Sequence, residues 1–291
     1  LIATGAAPEA GPSIPGGELA STSNEVFQWP AQPRRVVVQG AGYIALEFAC
    51  LLNRLGSEVS VVLRADRVLR GFDNEVREHL QAQLAGQGVR FLAGTSMTSI
   101  QQRGDSLLAT LDRGEAIAAD AVLRALGRRP NTAGLGLQAA GVEVDRIGAV
   151  KVSIDGRTSV PHIHAVGDVT DRVQLTPAAI REGQAYADRV FGGIDSTRLS
   201  HLGEQGIVPS AVFTTPEVGS EMSLSVSSGR YGLRSTFSSL CTLTRGKMSA
   251  SGCEGFVHVC PTAGSTTTRC PPRITHSRMA RARSSGRSVG S

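Results

Sequence analysis

A β-branched run, Arg35-Val36-Val37-Val38-Gln39, passes straight into Gly40-Ala41-Gly42-Tyr43-Ile44-Ala45. Apolar residues then recur at helical spacing over residues 44–55, and a second β-branched run occupies residues 59–63. A buried-type strand, a G-x-G-x-x-A turn, an amphipathic helix and another strand form the opening unit of a doubly wound α/β domain. Each small residue has a job in such a unit. Gly40 permits the tight turn, Gly42 lets the backbone approach a pyrophosphate, and Ala45 keeps helix and strand close. The helix N-terminus offers free N–H groups and a partial positive charge to the phosphates. A glycine turn between strand and helix with no ligand is the alternative, and the flanking pattern weighs against it.

The end of the second strand selects the nucleotide. An NAD site carries an acidic residue there, about 20 residues on from the glycines, to bond the ribose 2′-hydroxyl. Here Leu63 takes that place, followed by Arg64 and then Arg70. Guanidinium forks match a 2′-phosphate, so the spacing predicts NADPH rather than NADH. Arg67, between them, reads as a solvent-facing charge. The competing reading makes all three ordinary surface arginines, since every basic residue of the 30 except Lys151 and Lys247 is Arg.

The pattern continues with a helix over 74–85, a strand over 89–93, two polar strands with turns near Gly104 and Arg113, and a strand over 121–126. Gly127-Arg128-Arg129-Pro130-Asn131 reads as a crossing point between domains, because Gly and Pro stop both helix and strand. Short strands, an apolar strand over 163–166 and a helix from Pro177 to Val190 follow. Thr176 is suited to cap that helix and Pro177 to open it. Residues 1–14 read as a strand stub and a Gly/Pro-rich segment. A third region begins near 211–213. Past Gly219 periodicity fades, and residues 220–291 read as an aberrant tail, frameshifted or disordered.

Composition narrows the classes. With 41% hydrophobic and 19% charged residues the chain of 291 is globular, and aromatics at 4% leave the core to Val, Leu, Ile and Ala. No uncharged apolar stretch reaches the ~18 residues of a membrane span, and no signal peptide is legible, which predicts no membrane partner. The net charge of +5 is uneven. Residues 221–291 hold ten basic and two acidic residues, a net +8, which leaves −3 for the rest. Dispersed arginines without an aromatic platform predict no nucleic-acid partner. Cys50, Cys241, Cys253, Cys260 and Cys270 form neither C-x-x-C nor C-x-x-x-x-C. Such usage points to a reducing, cytoplasmic compartment and to no metal site.

These motifs together resemble the pyridine nucleotide–disulfide oxidoreductases, most closely the glutathione reductases. Ala3-Thr4-Gly5-Ala6-Ala7-Pro8 is similar to the segment closing the first part of their FAD domain. Gly42-Tyr43-Ile44-Ala45-Leu46-Glu47-Phe48-Ala49 is similar to their NADPH helix. Arg64 and Arg70 with Gly71-Phe72-Asp73, the crossing at Gly127, Ile163-His164-Ala165-Val166-Gly167-Asp168, Leu175-Thr176-Pro177 and Val208-Pro209-Ser210-Ala211-Val212-Phe213-Thr214 complete the series. The resemblance implies a Rossmann-like NADPH-binding domain, residues 17–126, inserted in a partial FAD-binding domain, residues 1–16 and 127–198. The start of an α+β dimerisation domain, residues 199–219, comes next. It also implies site roles. Thr4, Gly5, Gly127, Asp168, Leu175 and Thr176 would hold FAD. Gly40, Gly42, Ala45, Arg64 and Arg70 would hold NADPH. Tyr43 would gate the flavin face, and Glu47 would pair with a lysine that this sequence lacks, leaving its carboxylate without a partner. The substrate implied is glutathione disulfide, and the assembly a homodimer.

The sequence departs from that family at several points. It contains no first FAD fingerprint, no C-x-x-x-x-C and no His-Pro-Thr-x-x-Glu-Glu, and none of its six histidines precedes a proline. Arg124 stands in a strand where relatives carry an apolar or aromatic residue. The expectation is a fragment without disulfide reductase activity of its own and with weak flavin retention. A mercuric reductase or dihydrolipoyl dehydrogenase type, and a non-catalytic NADPH-binding remnant, are the competing readings.

Overall fold

The computed structural model describes residues 1–194, 207–227, 230–234 and 241–242, all within the compact unit Leu1–Val259. The chain opens with Ile2 in a single bridge to Ala165 and a short strand, β1 (Ala6–Pro8). It then crosses into a parallel sheet. Strand β2 (Arg35–Gln39) leads to helix α1 (Tyr43–Arg54), β3 (Glu58–Leu63), α2 (Asn74–Gly86) and β4 (Arg90–Ala93). An antiparallel meander follows, β5 (Met97–Arg103), β6 (Ser106–Leu111) and β7 (Ala116–Ala119), before β8 (Ala121–Arg124) returns to the sheet. The sheet order β4-β3-β2-β8 is parallel throughout, with β2 pairing β3 on one side and β8 on the other. Two helical crossovers laid out on one side of β2, and a return on the other, make a Rossmann-like half with its switch point between β2 and β8.

Strand periodicity explains the two faces. Val36 and Val38 of β2, Val59 and Val61 of β3 and Leu123 of β8 share a core with Leu46 and Ala49 of α1 and Leu80 and Leu84 of α2. Val37, Val62 and Val122 point the other way, against Ile100, Ala109 and Leu111 of the meander. The second face is therefore closed by strands, not by helices. Each fully buried Val or Leu contributes about 1.5–3 kcal/mol, so a core of aliphatic residues is sufficient despite the scarcity of aromatics.

The chain leaves this unit beside the point where it entered. Strand β9 (Arg128–Pro130) pairs antiparallel with β1, and the Glu9 N–H donates to the Gly127 carbonyl at 2.8 Å. Ser21 bridges Leu123. Arg124 is buried; its Nε donates to Gln39 Oε1 and its Nη2 to the Pro12 carbonyl, both at 2.9 Å. The unexpected arginine thus fastens the outgoing connection to the returning strand, at a desolvation cost that lowers its pKa.

Beyond β9 a small apolar core forms around Val142, Val150, Ala165 and Val169. Residues 163–166, expected as a strand, instead contribute single bridges, His164 to Arg157 and Ala165 to Ile2. No ladder forms because the two bridges face different partners and Gly167 turns the chain at φ +74° into a 3-10 turn, Gly167–Thr170. Helix α3 (Thr176–Val190) follows. Its N-cap is Leu175, with no side-chain cap, so Thr176 lies inside the first turn rather than capping it. Strands β10 (Ile207–Val212), β11 (Val218–Ser227), β12 (Arg230–Arg234) and β13 (Cys241–Thr242) form an antiparallel sheet. β11 runs straight across the change of composition at Gly219. The remainder of the expected tail lies outside the described residues.

Candidate dinucleotide and flavin sites

The glycine loop sits at the carboxyl end of β2, beside the end of β8. Gly40 has φ +148°, and a Cβ there would stand 2.3 Å from the Ala125 carbonyl oxygen and 3.1 Å from the Ala45 Cβ. Only glycine fits between strand and helix. Gly42 is different: its backbone is ordinary, and a Cβ would meet nothing within 4 Å. The space above it is open, as a close-lying ligand requires. Gly42 is also the N-cap of α1 with no side-chain cap, which leaves the first-turn N–H groups directed outward.

Residues 64–72 fold back over this loop. The Leu69 N–H donates to the Ala41 carbonyl at 2.7 Å, with Leu69 buried and in the left-handed region at φ 51°. Gln81 Oε1 accepts the Val68 N–H at 3.2 Å, and Arg77 Nε donates to the Val68 carbonyl at 2.7 Å. Arg67 pairs with Glu78 at 2.6 Å. Arg64 and Arg70 are exposed and have no partner among the described residues. The staple at Leu69 thus presents Arg70 beside the glycine loop. Leu69 itself gave no signal in the sequence, since a left-handed leucine has no signature.

The second cluster lies where the chain crosses back. Thr4 Oγ1 donates to the Asn131 carbonyl at 2.8 Å, and the Asn131 N–H to the Gly5 carbonyl at 2.9 Å. Gly5 and Gly127 both border open space. Arg128 Nη2 donates to the Ala6 carbonyl, and its Nε lies 3.7 Å from Asp168 Oδ2, with the two side chains 25% and 22% exposed. The Gly167–Thr170 turn carrying Asp168 rests on α3, whose N-cap, Leu175, makes no side-chain cap bond to the first turn. Arg128 as the partner of Asp168 was not legible in the sequence, because their pairing depends on the fold.

Tyr43 connects the clusters. It opens α1, is 37% exposed, and senses Arg128, Asp168 and Glu47. Burial raises its phenol pKa above the usual value; Arg128 opposes this, and Asp168 and Glu47 add to it. The hydroxyl is therefore protonated near neutral pH. Glu47 lies one turn further along α1 and is half-buried. Its Oε1 accepts the Phe213 N–H at 2.9 Å, so the expected partnerless carboxylate is corrected: strand β10 and its exit supply the donor. Cys50 is buried, and its Sγ accepts the Thr215 N–H at 3.2 Å. Among the described residues no group of His, Cys, Asp and Glu is placed to hold a metal, and no helix is long and apolar enough to cross a membrane. Cys253, Cys260 and Cys270 lie outside those residues.

A family model described as pyridine nucleotide-disulphide oxidoreductase matches residues 1–183. The chain belongs to this family. Among similar proteins, the glutathione reductase of Burkholderia cepacia is 46% identical over 220 residues, covering 76% of this chain and 48% of that protein. The trypanothione reductase of Trypanosoma congolense is 39% identical over 75% of this chain and 44% of its own length. Among solved structures, the HOCl-induced flavoprotein disulfide reductase RclA from Escherichia coli superposes with a TM-score of 0.69 at 28% identity, over 75% of this chain and 50% of that one. This chain spans about half the length of the curated relatives it matches.

Proposed function

We propose that this chain carries the NADPH-binding unit and part of the flavin cradle of a glutathione-disulfide reductase. Gly40, Gly42 and Ala45 would hold the pyrophosphate, and Arg64 and Arg70 the 2′-phosphate. The observation that carries this reading is the contrast among three neighbouring arginines: Arg67 is committed to Glu78, while Arg64 and Arg70 stand exposed without partners among the described residues. Two guanidiniums held open beside a glycine loop suit a doubly charged phosphate.

A second set of residues suits FAD. Open space at Gly5 and Gly127, and the α3 N-terminus without a side-chain cap, are features a flavin nucleotide would use. Thr4, Gly5, Gly127, Asp168, Leu175 and Thr176 would line its site. Bound flavin would supply the two-electron relay between nicotinamide and disulfide. Tyr43 would cover the flavin face and exclude water, with its hydroxyl kept protonated by burial. The uncapped end of α3 would favour negative charge placed against it. The 291 residues include no C-x-x-x-x-C and no His-Pro pair, so no residue of this chain is assigned to the thiol steps. We assign residues 17–126 to the nucleotide domain, residues 1–16 and 127–198 to the flavin domain, and residues 199–219 to the start of a dimer-interface domain. A cytoplasmic homodimer serving redox homeostasis is the matching biological setting.

The test is a titration of the full chain with NADPH and NADH, followed by intrinsic fluorescence. NADPH should bind at least about tenfold more tightly, the worth of one charge-assisted contact. Arg64→Ala/Arg70→Ala should erase the preference while leaving NADH affinity unchanged. Equal affinities in the wild-type chain would overturn the NADPH assignment.

A further inference from the structure

Two charges lie deep beneath the turn that carries Asp168. Arg172 and Glu182 pair at 3.0 Å with side chains 4% and 5% exposed. Burying an ion pair stabilises a fold only when its remaining hydrogen-bonding capacity is satisfied. Here Arg172 Nη1 reaches the Ser153 carbonyl at 3.0 Å, but Arg172 Nε is buried without an acceptor among the described residues. As a device for stability alone the pair is poorly built. What distinguishes it is the second oxygen of Glu182. Oε1 faces Arg172, whereas Oε2 accepts the Gly167 N–H at 2.6 Å.

That bond joins two elements of the flavin cradle. Glu182 belongs to α3, whose N-terminus is at Leu175, and Gly167 immediately precedes Asp168. The turn touches the same helix face a second time, one helical turn away: a Cβ on Gly167 would stand 3.2 Å from the Ala179 Cβ. Thr170 Oγ1 closes the turn by donating to the Gly167 carbonyl at 2.9 Å. We propose that Glu182 is a positioning residue for the flavin site. It fixes the Gly167–Thr170 turn on α3, and so sets the Asp168 carboxylate relative to the helix N-terminus. Arg172 holds the Glu182 carboxylate in the orientation that faces Gly167. This inference rests on the flavin reading above.

Two substitutions separate positioning from stability. Glu182→Gln loses the ion pair but keeps a carbonyl oxygen able to accept the Gly167 N–H. Glu182→Leu loses both. Three measurements on the full chain are compared: urea unfolding midpoint, amide hydrogen exchange over residues 167–171, and FAD affinity from quenching of flavin fluorescence. Both variants should lower the midpoint by a similar amount. Glu182→Gln should keep exchange protection and FAD affinity within about threefold of wild type. Glu182→Leu should lose about tenfold in each, the size of one hydrogen bond to a charged acceptor. Should Glu182→Leu not fold, Glu182→Asp, one methylene short of Gly167, takes its place with the same expectation. Equal exchange and equal FAD affinity in the two variants overturn the proposal. So does an FAD affinity that falls in step with the unfolding midpoint in both. If the wild-type chain takes up no FAD, the flavin reading fails by itself, and the exchange comparison still decides whether Glu182 holds the turn.

Discussion

Gly40 and Gly42 stand two residues apart and are glycines for different reasons, which makes them separable by the same substitution. Gly40→Ala drives a methyl into the Ala125 carbonyl, 2.3 Å away, in a backbone conformation that itself costs about 1–3 kcal/mol for a side-chain residue. Its urea midpoint should fall accordingly. Gly42→Ala meets only open space with an ordinary backbone, so its stability should stay within about 0.5 kcal/mol of wild type. Its NADPH affinity should nevertheless fall by at least about tenfold, because the methyl enters the space a pyrophosphate would take. An unchanged affinity in Gly42→Ala would falsify the pyrophosphate assignment. The tight turn at Gly40 and the close packing of Ala45 were legible because strand, turn and helix follow one another within a few residues. Leu69, Arg128 and Glu182 were not. Leu69 acts through its backbone, while Arg128 and Glu182 act through partners the local pattern does not bring near.

Helices and strands were readable wherever a period ran long enough. The helix expected over 44–55 spans Tyr43–Arg54, and that expected over 74–85 spans Asn74–Gly86. Residues 163–166 misled because apolar composition alone cannot say whether a partner strand lies alongside. Thr176 misled because capping chemistry marks a helix start only to within a residue. Helix α2 offers the cleanest test of how these elements are held. Asp73 Oδ1 accepts the Glu75 N–H at 2.8 Å as its N-cap, so Asp73→Ala should cost about 0.5–2 kcal/mol by urea unfolding. Leu80, on the buried face, fills the core under β3; Leu80→Ala should cost about 2–5 kcal/mol. If the two losses were equal, the helix would be held by its end as much as by its packed face.

At the scale of the molecule, acid should destabilise the chain in two stages. His164 is depressed by burial and by Arg189 and Arg157, with Asp155 opposing. As pH falls through about 6.5, the unfolded chain takes a proton that the folded one resists, so stability present above that pH is lost below it. Asp120 is depressed by its hydrogen bond from Arg35, and its contribution, present above about pH 4, is lost as pH falls further. Asp171, raised by burial, has the opposite sign and recovers part of the loss. Unfolding midpoints between pH 8 and 3 should show both stages; His164→Gln should remove the upper one and Asp120→Asn flatten the lower. The order of strands and helices was legible from the motifs along the chain. The insertion geometry was not, because it depends on β1 meeting β9. That pairing also sets a timetable for synthesis. Ala6 emerges from the ribosome 122 residues before Arg128, the side chain that bonds it. At about 5–20 residues per second β1 waits roughly 6–24 s for β9, while the parallel-sheet unit between them can already fold. A nascent chain stalled before β9 should therefore display a finished parallel-sheet unit with β1 still lacking its β9 partner, the form in which a chaperone would meet it.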